Sequence, residues 1–120
     1  MAKILIVDDE PLTIEMLSTF LNLSGHEPVG ALSTKQTWDR LAYEEPDAIL
    51  LDIMLPDGNG LEICQQLRAD PRWANTPVII ISAHTPPMTA EATRAGANAY
   101  LAKPIRLDAL RVALREVGIS

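Results

Sequence analysis

The chain has 120 residues, of which 48% are apolar, and a net charge of −6 at neutral pH, so it is long enough for one compact domain and too short for two. A chain of this length buries roughly two-thirds of the surface its unfolded form exposes, so its core needs neither disulfides nor a structural metal. The single cysteine, Cys64, excludes a disulfide framework within the chain, and the acidic balance weighs against direct contact with nucleic acid or an anionic membrane.

In chain order, the first element is the run Ile4-Leu5-Ile6-Val7, which follows Met1-Ala2-Lys3 directly. It is too short for a signal peptide or a membrane span, so a cytoplasmic location is expected. Its continuous apolar character predicts a strand buried on both faces. Pro11 to Leu23 then has helical period, with Pro11 suited to the first turn, Ile14, Leu17 and Leu21 on one face, and Gly25 as the stop. Glu27 to Ala31 is a weaker strand pattern, suited to a sheet edge. Ser33 with Gln36 has the spacing of a capping box and opens a helix to about Glu44, whose inner face is expected to carry Trp38, Leu41 and Ala42. Ala48 to Leu51 is a second buried-strand run. Gly60 to Ala69 follows as a helix that places Leu61, Cys64 and Leu67 inward. Asp70 to Pro77 is the least regular segment, and Trp73 is expected to cap a core edge there. Val78 to Ile81, a helix over about Met88 to Ala95, and a strand over Ala99 to Ala102 with Tyr100 inside it come next. The last helix runs from Leu107 to about Val117, with Leu107, Leu110, Leu114 and Val117 facing inward and Gly118 closing it.

Five βα units in strict alternation predict an α/β fold: one domain over residues 1–120, a doubly wound parallel sheet with right-handed crossovers and helices on both faces. In open sheets of this kind ligands bind beyond the carboxyl ends of the strands, where the winding direction reverses. The first strand ends in Asp8-Asp9-Glu10, the third in Asp52, the fourth in Ser82 and the fifth in Lys103-Pro104. In the order 2-1-3-4-5 the reversal falls between strands one and three, and Asp8, Asp9 and Asp52 converge on one crevice. Two carboxylates about 4 Å apart repel by about 1 kcal/mol in water and by several times more at lower dielectric, so the cluster calls for a cation. An all-oxygen set without a nearby His or Cys suits Mg²⁺. Lys103 would bring a point charge, and Ser82 a hydroxyl donor, to a transferring phosphoryl group. Each residue taken alone also has a plainer role: Asp9 or Glu10 as a cap on the helix at Pro11, Ser82 as a cap on the next helix, Lys103 as a solvated surface charge.

The succession Asp8-Asp9, then Asp52 within Leu-Leu-Asp-Ile-Met-Leu-Pro-Asp-Gly-Asn-Gly, then Ser82-Ala83, then Lys103-Pro104 resembles the receiver domain of two-component response regulators over essentially the whole chain. The resemblance implies a flavodoxin-like sheet in the order 2-1-3-4-5. It implies Asp52 as phosphoacceptor, Asp9 as a direct Mg²⁺ ligand, Asp8 as a largely water-mediated one, and the Met54 carbonyl as a third protein ligand. By the same resemblance Pro56 and Gly60 shape the site loop, Ser82 and Lys103 bind the phosphoryl oxygens, Pro104 follows a cis peptide bond, and Tyr100 is the ring that moves on phosphorylation. The resemblance further implies that Met54 and His84, two positions after the acceptor and two after the serine, flank the path of the hydrolytic water and tune the lifetime of the mark. The implied phosphodonor is a sensor histidine kinase or phosphotransfer protein, and the implied output is a face that an effector reads.

Three other readings are weighed against this. A haloacid-dehalogenase-like phosphatase also places acids after its first strand, but its Asp-x-Asp spacing would put Glu10 in the second place, and 120 residues is short for it. A flavodoxin-like binding module would need its phosphate loop at Asp8-Asp9-Glu10, where an anion is repelled. A receiver fold used only for docking would have lost the acceptor, the acids or the lysine, and all are present. No output segment follows Gly118-Ile119-Ser120, and Ala97-Asn98-Ala99-Tyr100 lacks the acidic pair of receivers that dimerise in winged-helix transcription factors. The chain is thus expected to be a receiver with no output domain within these 120 residues, either a stand-alone regulator or a receiver cut from a longer protein, and not an enzyme acting on other substrates.

Overall fold

The computed structural model describes all of Met1–Ser120. Five strands, β1 (Lys3–Val7), β2 (Glu27–Ala31), β3 (Ala48–Asp52), β4 (Val78–Ser82) and β5 (Ala99–Ala102), form one parallel sheet in the order β2-β1-β3-β4-β5. The helices are α1 (Pro11–Leu23), α2 (Thr34–Glu44), α3 (Gly60–Ala69), α4 (Thr89–Ala95) and α5 (Leu107–Glu116). This is the doubly wound α/β architecture expected from the alternation of elements, with the winding reversal between β1 and β3. No helix is long and apolar enough to cross a membrane.

The pleat explains why the central strands read as continuous apolar runs. Leu5, Val7, Ile49, Leu51, Val78 and Ile80 point to one face, where they pack with Leu41, Ile63, Cys64, Leu67, Ala92 and Ala95 from α2, α3 and α4. Their neighbours Ile4, Ile6, Ala48, Leu50, Ile79 and Ile81 point to the other, against Leu17, Phe20 and Leu21 of α1 and Leu110 and Leu114 of α5. Both faces are covered, so no position along these strands is free to be polar until each strand ends. Trp73 is buried at the edge of the first cluster.

Two inward assignments are corrected. In α2 the buried stripe is Thr37 and Leu41, and Ala42 is exposed, because Thr37 and Leu41 are one turn apart whereas Ala42 sits about 100° further round. In α5 the stripe is Leu110, Ala113 and Leu114; Leu107, in the first turn, overhangs a surface groove beside α1 and is 39% exposed. A short antiparallel hairpin, Met54–Leu55 with Gly58–Asn59, lies between β3 and α3. It is followed by a close backbone approach that only glycine permits: a side chain at Gly60 would run into the carbonyl of Asp52.

Candidate functional site

The carboxyl ends of β1, β3, β4 and β5 bring the chemically active residues to one rim. Asp8 is fully buried; its N–H donates to Ala31 O of β2 at 3.0 Å, and its Oδ1 accepts the Glu10 N–H at 2.9 Å. This turn lifts Asp9 and Glu10 to the surface. Glu10 is the N-cap residue of α1 by position, but no side chain caps that helix, so capping does not account for the acids. Asp52, the last residue of β3, is 3% exposed.

Lys103 joins these groups. Its backbone N–H donates to Ser82 O at 2.8 Å, which fixes the start of its side chain beside β4. Its Nζ then lies 2.7 Å from Asp8 Oδ2, 3.1 Å from Asp52 Oδ2 and 3.5 Å from Glu10 Oε1. Burial alone would lower the Lys103 pKa, but hydrogen bonding and Coulomb attraction from Asp8 and Asp52 outweigh it and raise it above the ordinary lysine value. Burial pushes the Asp52 carboxyl above its ordinary value, with Asp8 adding to the rise and Lys103 offsetting part of it.

The donor set fits a hard divalent cation. Carboxylate oxygens of Asp8, Asp9 and Glu10 lie within 4.8 Å of one another. Asp8 Oδ2 is buried with the Lys103 ammonium as its one close partner and so retains an unused acceptor lone pair. An all-oxygen group of this kind, partly buried and partly open, matches Mg²⁺ with retained waters. Glu10, which sequence reasoning treated as a helix cap or as part of a phosphatase motif, belongs to this group; its place in the acid run was the available signal.

The remaining candidates surround the cluster. Met54 is 54% exposed, and its N–H points at Asp52 Oδ1 at a long 3.4 Å. Ser82 is buried, and its Oγ accepts the His84 N–H at 3.0 Å; the next helix begins only after Met88, so Ser82 does not cap it. His84 is exposed, with Nδ1 2.8 Å from Pro86 O. Tyr100 is partly buried against the α2–α4 side of the sheet, and its Oη accepts the Met88 N–H at 3.0 Å. The Lys103–Pro104 peptide is cis, as is Thr85–Pro86.

With this geometry in view, the comparisons with known proteins agree on one family. The model of the response regulator receiver domain matches residues 4–115. The protein RcaC of Microchaete diplosiphon is 37% identical over 105 residues, 87% of this chain and 16% of that protein. The response regulator MprA of Mycolicibacterium vanbaalenii is 34% identical over 114 residues, 94% of this chain and 48% of that protein. The chain thus spans about half or less of the length of these relatives. Among solved structures, a response regulator from Chloroflexus aurantiacus superimposes with a TM-score of 0.89 at 30% identity, covering 97% of this chain and 96% of that one. The chain belongs to the response regulator receiver domain family.

Proposed function

We propose that the chain is a phosphorylation-dependent signalling switch: Asp52 accepts a phosphoryl group from a sensor histidine kinase or phosphotransfer protein, and the change is read by a downstream effector. The observation that carries this is the placement of Lys103, whose ammonium contacts Asp8 and Asp52 at 2.7 and 3.1 Å at the sheet's winding reversal.

A carboxylate oxygen of Asp52 attacks the donor's phosphorus in line; a P–O bond forms as the bond to the donor breaks, and the donor group leaves with the electron pair. No general base is needed, because the nucleophile is already an anion. Lys103 then follows the charge onto the phosphoryl oxygens, and Ser82 turns its hydroxyl from the His84 amide toward them. Asp8 and Asp9, with Asp52 and the Met54 carbonyl, would hold Mg²⁺, which when bound supplies positive charge to the phosphoryl oxygens. The acyl phosphate that results is reactive and hydrolyses, so the mark is transient. Ser82 pairs with Ala102 and Ile80 with Tyr100, which puts Ser82 and Tyr100 on the same side of neighbouring strands and supports a switch in which the two move together. A cytoplasmic setting accompanies this function.

The test is intact-mass measurement after incubation with acetyl phosphate. One phosphoryl group is expected on the wild type with Mg²⁺, and none on Asp52→Asn or on wild type in EDTA. Equal labelling of wild type and Asp52→Asn would remove Asp52 as acceptor.

A further inference from the structure

The hairpin after the acceptor is held by a residue that sequence spacing does not reveal. Two strands of two residues each, Met54–Leu55 and Gly58–Asn59, are too short to fix their own position. Leu55 anchors one side in the core, and Asn59 anchors the other by accepting the Leu61 N–H of α3 at 2.7 Å. The turn between them is held from across the molecule: the Asp57 carboxylate accepts the Thr34 N–H at 2.7 Å and the Lys35 N–H at 3.1 Å.

Those two amides are the first of α2 and have no partner inside the helix. The third, Gln36 N–H, is taken by the local cap, Ser33 Oγ, at 3.1 Å. Labour at this terminus is therefore divided between a local residue and a distant one. The two amides hold the Asp57 carboxyl below its usual range, as expected of an anion at the positive end of a helix dipole. Gly58 makes the approach possible, since a side chain there would come within 2.6 Å of Thr34 Oγ1.

Met54 pairs with Asn59, and Leu55 with Gly58, so the turn that Asp57 pins is continuous with the backbone of Met54. We propose that Asp57 is a positioning residue: by docking the turn on α2 it holds the Met54 backbone where its carbonyl can meet the metal at the acceptor site. This rests on the metal site described under Proposed function. Asp57 itself is exposed, so its loss removes a tether without opening the core.

Calorimetric titration of the full chain with MgCl₂ tests this, comparing wild type, Asp57→Ala, Asp57→Asn and Ser33→Ala. The Ser33 variant removes the local cap of the same helix and leaves the turn's anchor in place. Asp57→Ala is expected to bind Mg²⁺ about three- to tenfold more weakly, with faster exchange of the Thr34 and Lys35 amides. Asp57→Asn, which keeps one good acceptor, should fall between it and wild type, and Ser33→Ala should bind as wild type does. Wild-type affinity in Asp57→Ala, or equal weakening in Ser33→Ala, would reduce Asp57 to an ordinary helix cap and overturn the proposal. A wild type that takes up no Mg²⁺ would overturn the metal site itself and this inference with it.

Discussion

Lys103 Nζ stands closer to Asp8, at 2.7 Å, than to Asp52, at 3.1 Å, so in the metal-free molecule a lysine is the cation that holds the buried acids together. Removing it leaves two carboxylates with almost no exposure and no countercharge. Breaking a buried pair by deleting one partner costs about 3–5 kcal/mol, and the opening toward solvent at Glu10 argues for the lower end. Lys103→Met should therefore lower metal-free stability by about 3 kcal/mol, and Mg²⁺ should restore more stability to this variant than it adds to wild type. Urea unfolding with and without MgCl₂ measures both. Unchanged metal-free stability would mean that the acids are neutralised in some other way.

The raised Asp52 pKa has a signed consequence for pH dependence. Its main cause is burial, which disfavours the ionised form in the folded state. Folding thus favours proton uptake at Asp52: this contribution is fully present below the ordinary aspartate value of 3.8 and is lost as pH rises through the higher folded value. At neutral pH the metal-free fold bears the cost of a buried anion. Asp52→Asn should accordingly be more stable than wild type at pH 7, with the difference shrinking as pH falls through the folded pKa. Denaturant melts of both proteins in EDTA from pH 4 to 8 check this; a difference that is constant with pH would assign the gain to packing instead.

Strand bounds were legible because burial on both faces leaves Ile4 to Val7 or Val78 to Ile81 no polar position, and the first polar residue after each run marks the strand end. Those ends gather at one rim, which is why Asp8, Asp52, Ser82 and Lys103 could be named as candidates from the chain alone. Relations across the sheet layers were not legible. Asp57 caps a helix that begins 23 residues earlier, and nothing around Asp57 differs from an ordinary Asp-Gly turn. Arg68 is similar: it donates to Gly96 O, Trp73 O, Thr76 O and the Asn98 side chain, tying α3, the following loop and the end of α4 together, without any local pattern that foretells it. The helix stripes failed by one residue at Ala42 and by one turn at Leu107, since periodicity fixes the face of a helix less sharply than a strand's alternation does.

An exposed apolar strip on α1 lies beside the candidate site and would suit docking of the proposed phosphodonor. Leu12 and Met16 of α1 are 78% and 43% exposed and line a groove with Leu23 and Leu107, starting two residues after Glu10. Exposed apolar side chains in a continuous strip are commonly contact surfaces. Leu12→Glu combined with Met16→Glu should slow phosphotransfer from a phosphorylated kinase or phosphotransfer protein about tenfold or more, while labelling by acetyl phosphate stays at the wild-type rate. Parallel time courses with the two donors separate docking from chemistry. Equal slowing of both would place the effect at the acceptor, and no slowing of either would clear this face.

Tyr100 is tied to α4 through one bond, its Oη accepting the Met88 N–H at 3.0 Å, and no side chain of α4's own segment caps that end. A ring that moves on phosphorylation must give this bond up. Tyr100→Phe removes it without changing the ring, and a hydrogen bond of about 1 kcal/mol corresponds to about a fivefold change in a local opening equilibrium. Amide exchange over Met88–Ala95 should accelerate about fivefold in the unphosphorylated variant and approach the behaviour of phosphorylated wild type. If exchange there is unchanged, Tyr100 packs without controlling α4.

The lifetime of the mark depends on whether water can reach phosphorus opposite the Asp52 oxygen. Met54, 54% exposed and next but one after the proposed acceptor, has an apolar side chain that cannot orient a water, so it is expected to obstruct attack. His84 has its Nδ1 engaged with Pro86 O at 2.8 Å, which requires the proton on that nitrogen and leaves Nε2 as the free acceptor in the neutral ring. Its ring is thereby tethered to its own loop, and its influence on the water path should be the weaker of the two. Met54→Asn supplies an amide able to align the water and should accelerate loss of phosphate about tenfold, equivalent to about 1.4 kcal/mol of barrier. His84→Ala should change the rate less than threefold. Both rates follow from the decay of the phosphorylated mass after removal of acetyl phosphate. A Met54→Asn rate equal to or below that of wild type would show that water access is governed by residues other than Met54.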